Sequence, residues 1–223
     1  MAKLTFDPEA LPVDSLAGEP AVAAERLSVH WLRERFAHPP TWIREEFDER
    51  RMRKLTGEPT PASVLIPLVA HADGLTMLLT QRTAHLHDHA GQVSLPGGRV
   101  DDTDTSAIET ALRETEEEVG VHRRHIEVLG TLPDYFTGTG FRVTPVVALV
   151  QPPFELRADP FEVAEIFEVP LAFLMDGRNH QLRTVQIPEG GGRRTFYTMP
   201  YERFFIWGAT AGMLRNLFHF IRA

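Results

Sequence analysis

Residues Glu114, Glu116, Glu117 and Glu118 put four carboxylates into five positions, closed by Arg113 before them and Gly120-Val121 after them. The surrounding stretch reads as one regular helix. Ile108, Leu112, Thr115 and Val119 recur at helical spacing and form its buried stripe. At about 100° per residue, Glu114, Glu117 and Glu118 fall together on a different face. Glu114 and Glu118 lie one turn apart, and like charges at that spacing destabilise an isolated helix by a few tenths of a kcal/mol. A cation between them would remove that repulsion.

The segment before the helix suggests which cation. Pro96-Gly97-Gly98 makes a tight turn in which backbone approaches a ligand closely. Arg99 to Thr105 is a polar loop, Ser106 and Glu109 have capping-box spacing, and Gly120 is a natural helix stop. Clustered hard oxygen ligands beside a glycine turn suit Mg²⁺ or Mn²⁺, which binds through one or two carboxylates together with substrate phosphates. A bare glutamate cluster is ordinarily a solvated helix face. The fixed offsets of Gly-Gly, Arg-Glu and Glu-Glu-x-Gly favour the ligand site here.

With those residues in place, Gly98-x5-Asp104-x8-Arg113-Glu114-Thr115-x-Glu117-Glu118-x-Gly120-Val121 resembles the Nudix box, G-x5-E-x7-R-E-U-x-E-E-x-G-U. Asp104 stands for the first Glu, the gap before Arg113 is one residue longer, and Thr115 takes a usually aliphatic position. The core Arg-Glu-x-x-Glu-Glu-x-Gly is intact. The resemblance implies an α/β/α sandwich with a mixed sheet. It also implies a Mg²⁺- or Mn²⁺-dependent hydrolase of nucleoside diphosphates linked to another group, with Glu114, Glu118 and Glu117 as metal ligands.

A second motif runs into the box. Leu78 to Gly98 is similar to the signature of the coenzyme A pyrophosphatase branch, L-L-T-x-R-[SA]-x3-R-x3-G-x3-F-P-G-G, with Thr83, His87 and Leu95 at variant positions and every spacing kept. That branch also carries the Asp and the longer gap. The likeness extends through Thr139 to Pro145, Glu162 to Leu171 and Ile206 to Ala211, so it covers the chain from about Ala62 onward. It implies a coenzyme A-like nucleotide as small-molecule partner, held by Arg82, His87, Gly91, Gly97 and Gly98. Arg82 can fork onto a phosphate, whereas a neutral His87 offers one weaker, pH-sensitive donor. A general base must lie within hydrogen-bond reach of the attacking water. Glu117, Glu162 and Glu165 are the candidates, and Arg113, one turn before Glu117, orients a carboxylate. Another nucleoside diphosphate derivative as substrate, or a non-catalytic nucleotide sensor, stays open; the intact glutamates weigh against the sensor. His85, His87 and His89 alternate as zinc ligands on a strand would, yet Asp88, Ala90 and Gly91 favour a loop.

The elements that must position these residues follow from the pattern. At 223 residues and 43% hydrophobic, the chain can bury one full core plus an extension. Two amphipathic helices, Ala21 to Phe36 and Thr41 to Leu55, follow a loosely held lead-in, so residues 1–60 read as an N-terminal extension and 61–223 as the catalytic domain. Ser63 to Ala70 and Thr76 to Gln81 read as a hairpin. Strands follow near Ile126 to Leu132 and Val143 to Val150, a short helix near Pro170 to Met175, a second hairpin around Gly190-Gly-Gly192, and a closing helix from Phe205 to Ile221. The absence of cysteine fits a reducing compartment. No apolar run reaches membrane-spanning length, and the N-terminus lacks a signal-peptide pattern, so the cytoplasm is the expected location. A net charge of −8 argues against broad nucleic-acid binding, leaving Arg50 to Lys54 and Arg193-Arg194 as solvated surface. An assembly of two copies is compatible with this reading.

Overall fold

The computed structural model describes residues 6–45, 57–86, 90–187 and 192–223. In chain order these form β1 (Ser15–Leu16), α1 (Val29–Ala37), β2 (Thr60–His71), β3 (Gly74–Arg82), β4 (Val93–Ser94) and β5 (Gly97–Arg99). Next come α2 (Ala107–Val119), β6 (Ile126–Thr131), β7 (Tyr135–Phe136), β8 (Phe141–Val150), β9 (Val163–Pro170) and α3 (Leu171–Leu174). The last elements are β10 (Gln181–Ile187), β11 (Gly192–Tyr201), β12 (Phe204–Trp207) and α4 (Gly208–Arg222).

Near-continuous apolar runs along β2 and β8, buried on both faces, build the centre. The two strands run parallel, from Thr60 opposite Phe141 to Val69 opposite Val150, while β3 and β6 flank them antiparallel. Successive side chains face opposite sides of a sheet. Leu65, Val146 and Ala148 accordingly meet Ala111 and Leu112 of α2. Ile66, Leu68, Val147 and Leu149 join Leu214, Leu217 and Phe218 of α4 on the other side. One helix on each face of a mixed sheet is the α/β/α sandwich expected from the resemblance. A separate antiparallel sheet, β1-β10-β11-β12, lies beside it.

Several elements differ from the pattern-based expectation. The helix expected over Ala21 to Phe36 is divided: Ala24–Leu27 is a 3-10 turn, and the Ser28 hydroxyl accepts from Trp31 N at 3.3 Å to cap α1. Of the helix expected over Thr41 to Leu55, residues 41–45 are not helical and the remainder lies outside the described residues. The closing helix starts three residues late, because Phe204–Trp207 joins β11 as a strand and stacks Phe204 on Phe167 at 3.5 Å between ring centroids. The segment Val163–Pro170, which holds the base candidate Glu165, is a strand paired with β3. In place of a loosely held lead-in, Ser15 and Leu16 pair with Leu182 and Gln181, and the Arg183 guanidinium donates to the carbonyls of Glu9 and Leu11. Among the described residues no helix is long and apolar enough to cross a membrane.

Charge also ties the N-terminal segment down. Arg215 of α4 is 1% exposed and donates to Glu19 Oε1 at 2.7 Å and to Glu45 Oε1. His219 Nε2 meets the same Glu45 oxygen at 2.8 Å. Burial favours the neutral form of Glu45, but hydrogen bonds from His219 and Arg215 outweigh it and hold its pKa down at about 2. Burial pushes His180 down to about 4, leaving it neutral near pH 7. Its Nδ1 therefore accepts from Arg215 at 2.9 Å while Nε2–H donates to Leu174 O at 2.8 Å. Glu19, Glu45 and His219 are spaced as metal ligands would be, but the guanidinium already supplies the positive charge among them.

Candidate active site

The acidic helix is set at both ends by its own sequence. Ser106 Oγ accepts from Glu109 N at 3.2 Å, and Gly120 closes α2 in the left-handed conformation at φ 76°. Thr115, at a usually aliphatic position, is buried because its hydroxyl donates back to Ala111 O at 2.7 Å. Glutamates 114, 117 and 118 thus keep a fixed rotation relative to the glycine turn.

Arg113 organises the near side of this face. Its guanidinium forks onto Asp104, with Nε to Oδ1 at 3.0 Å and Nη2 to Oδ2 at 2.8 Å. Nη1 donates to Glu114 at 2.8 Å and to Glu117 at 3.1 Å, and Nη2 also reaches Arg99 O at 3.2 Å. Asp104 further accepts from Asp101 N and Thr110 Oγ1, and its hydrogen bonds with Arg113 hold its carboxyl well below the usual range. The orienting role expected of Arg113 toward Glu117 is therefore wider: it links the loop, Glu114 and Glu117. Sequence reasoning left Asp104 without a role. The signal was its place in the box, nine residues before an arginine that needs a counter-ion.

Glu118 is the buried member and Glu114 is half-buried. Glu118 is 4% exposed and accepts from Gly97 N at 3.3 Å. Burial pushes its pKa up to about 8; Arg82 opposes this, while Glu162 and Glu114 add to it. Burial likewise raises Glu114, against the pull of Arg113. A buried and a half-buried carboxylate that repel one another, with a shortage of positive charge, form a hard-oxygen donor set, so the residues present fit a divalent cation. The glycines allow this approach. A Cβ on Gly98 would stand 2.5 Å from the Glu114 carboxyl carbon, whereas one on Gly97 would strike the backbone of Ser63 and Val64. Gly98→Ala should therefore fold, since a flexible carboxylate can swing aside, yet weaken Mn²⁺ binding about tenfold or more by displacing Glu114. Mn²⁺ titration followed by calorimetry checks this, and unaltered affinity would show that Glu114 does not bind the ion from that position.

The remaining expected residues divide. Arg82 ends β3 with Nη1 3.9 Å from Glu162 Oε2, and its buried Nε has no hydrogen-bond partner among the described residues. Glu162 is half-exposed, and its charge acts on both Glu114 and Glu118. Glu117 is 58% exposed beside Arg113. Gly91 takes a positive φ of 73° and its carbonyl accepts from Gln81 Nε2. His87, with His89, lies outside the described residues. Glu165 is not brought to the cluster. On β9, Ile166 packs with Val119 on the α2 side, so alternation turns Glu165 and Phe167 to the opposite face, where Glu165 pairs with Arg203.

A family model described as the NUDIX domain matches residues 59–185. The Nudix hydrolase NudL of Escherichia coli O6:H1 is 48% identical over 157 residues, covering 70% of this chain and 80% of that protein. NudL of E. coli K12 matches to the same extent, 48% over 157 residues and with the same coverage. Among solved structures, a MutT/nudix family protein from Enterococcus faecalis aligns with a TM-score of 0.44 at 18% identity, covering 85% of this chain and 73% of that one. The NUDIX domain of Shewanella oneidensis NrtR, complexed with ADP ribose, aligns with a TM-score of 0.41 at 22% identity, covering 57% and 85%.

Proposed function

Because the chain belongs to the Nudix hydrolases, metal-dependent enzymes that act on diphosphate bonds, we propose that it hydrolyses the diphosphate of coenzyme A or its thioesters. The products are 3′,5′-ADP and 4′-phosphopantetheine or its acyl form. The observation that carries this reading is the pair of half-buried Glu114 and buried Glu118 facing Gly97-Gly98, with an Arg82 Nε beside it that has no hydrogen-bond partner among the described residues. The Leu78-to-Gly98 signature is what selects coenzyme A among diphosphate substrates.

Glu114 and Glu118, with Glu117 at the exposed edge, hold Mg²⁺ or Mn²⁺. The bound ion supplies charge neutralisation at the diphosphate oxygens and a lowered pKa for attacking water. Arg82 binds a substrate phosphate through its planar fork, and the phosphate provides the hydrogen-bond acceptor that Nε lacks among the described residues. Arg113 does not touch substrate. It keeps Glu114 and Glu117 aimed by anchoring them to Asp104. The proton acceptor is drawn from Glu117 and Glu162, the half-exposed carboxylates flanking the buried pair.

The test is product identity. Purified protein with Mg²⁺ or Mn²⁺ is offered coenzyme A, ADP-ribose, NADH and a dinucleoside polyphosphate, and the products are resolved by mass. Coenzyme A should yield 3′,5′-ADP. Turnover of another panel member without 3′,5′-ADP would move the assignment to that substrate, and no turnover of any would favour a nucleotide sensor.

A further inference from the structure

Phe161 is 65% exposed on the loop that carries Glu162 into the site. An apolar ring on a mobile surface loop would call for no explanation, but this loop is tied at several points. Phe161 N donates to Asp159 Oδ1 at 2.7 Å, and Asp159 N donates to the Glu118 carbonyl at 2.9 Å. On the other side the Thr83 hydroxyl donates to Phe161 O at 2.7 Å, and Thr83 N donates to Glu162 O at 3.0 Å. The Phe161 backbone is thus tied to the acidic helix through Asp159 and to the residue after Arg82. His85 lies beside it, ring centroids 5.1 Å apart and tilted by 59°, which leaves aromatic surface open to solvent.

We propose that Phe161 is the stacking platform for the nucleobase of the substrate. This deepens the reading above and rests on it: the substrate must be a nucleoside diphosphate derivative. The chemistry is complementary. Arg82 and the carboxylate-bound ion address charged phosphates, which leaves the flat, uncharged heteroaromatic base without a partner among those groups. An exposed aromatic ring on a tied backbone offers that partner, and such stacking tolerates any base because every base has a π-face. Thr83, which stands where the coenzyme A signature has Ser or Ala, has a use in this picture. Its hydroxyl fixes the carbonyl of the stacking residue.

The test compares wild type with Phe161→Ala and Phe161→Trp, using whichever nucleotide the wild type turns over. Phe161→Ala should raise KM about tenfold with kcat within about twofold, the signature of lost uniform binding, and Phe161→Trp should restore KM. Inhibition by 3′,5′-ADP, which carries a base, should weaken by a similar factor in Phe161→Ala, while inhibition by inorganic diphosphate should not change. Thermal unfolding of the variants should match wild type, as expected for an exposed side chain. Unchanged KM in Phe161→Ala, or equal weakening of inhibition by diphosphate, would overturn the stacking role and leave the hydrolase reading intact. A wild type that turns over no nucleotide would remove both.

Discussion

Glu118→Gln should lower kcat by about a hundredfold or more, roughly 2.7 kcal/mol of transition-state stabilisation, while leaving the fold intact. The amide oxygen can still accept the Gly97 N–H, so the local hydrogen bond survives, but the anionic ligand does not. The same variant has a second, independent signature. Unfolded, a glutamate titrates near 4.5, whereas burial pushes Glu118 up to about 8 in the metal-free protein. Between those values the folded state keeps a proton that the unfolded state has released. Stability of the metal-free wild type should therefore fall as pH rises from about 4.5 to about 8, then level off. Glu118→Gln cannot ionise, so urea unfolding at a series of pH values should show a flatter profile over that window. Metal must displace the same proton, so wild-type Mn²⁺ affinity should climb with pH up to about 8. Near-wild-type kcat in the variant would remove Glu118 from the metal site, and an unaltered pH profile would mean that its carboxyl is not held neutral.

Arg215→Ala should be the most destabilising single change in the molecule's ionic network. Breaking a buried ion pair by removing one partner costs about 3–5 kcal/mol, because the other charge stays buried without compensation. Here two carboxylates, Glu19 and Glu45, would lose their shared guanidinium, and His180 Nδ1 would lose its donor. For a chain of this size that corresponds to a fall in Tm of about 10 °C. Arg215→Lys should recover part of the loss, since a point charge cannot bridge Glu19 and Glu45 as the planar fork does. The acid limb carries a further mark. The lowered pKa of Glu45 contributes stability that is complete above about pH 4.5 and is lost as pH falls toward about 2. That contribution should be reduced in Arg215→Ala, with the part owed to the His219 hydrogen bond remaining. A loss below about 1 kcal/mol at neutral pH would show that the cluster is solvated and not a structural tie.

Much of the catalytic layer could be read locally. The Ser106 cap, the Gly120 stop, the apolar stripe of α2 and the hairpin through Ala72-Asp73 depend on neighbours within a few residues, and the structure has them where the pattern put them. The adjacency of Glu114 and Glu118 follows from helical pitch, and their burial does not. It depends on the Gly97-Gly98 backbone lying against them, a contact between segments about twenty residues apart. Glu165 illustrates the opposite failure. Its spacing from Glu162 made both look like candidates for one site, but Glu162 sits in the turn before β9, near Arg82, while Glu165 lies within the strand and pairs with Arg203. Short acidic runs carry no sign of which secondary structure will hold them, so the period was not visible.

The features that sequence could not supply are those made by distant pairings. The Phe204–Trp207 strand looked helical because its aromatic residues fit either period until β11 is present to pair with them. Arg215 and His219 read as the polar face of an ordinary surface helix. Of their partners, Glu19 lies in the segment expected to be a loosely held lead-in, and Glu45 in the stretch expected to be a second amphipathic helix. Phe161 offered no pattern of its own. Its interest arises from its exposure beside Glu162 and from the Thr83 tether, both products of the folded loop.

The Arg215 clasp also has a consequence for the order of events during synthesis. Glu19 and Glu45 leave the ribosome 196 and 170 residues ahead of the guanidinium that neutralises them. At about 5–20 residues per second, that interval lasts on the order of 10–40 s. Throughout it the N-terminal segment carries acids with no counter-ion, and the β10 edge that Ser15 and Leu16 join is not yet made for most of that time. The catalytic helix, its glycine turn and the parallel β2–β8 pair are complete long before α4 emerges. A nascent chain would therefore hold an assembled carboxylate cluster while its opposite sheet face is still uncovered, and its N-terminal segment would fasten only as α4 arrives.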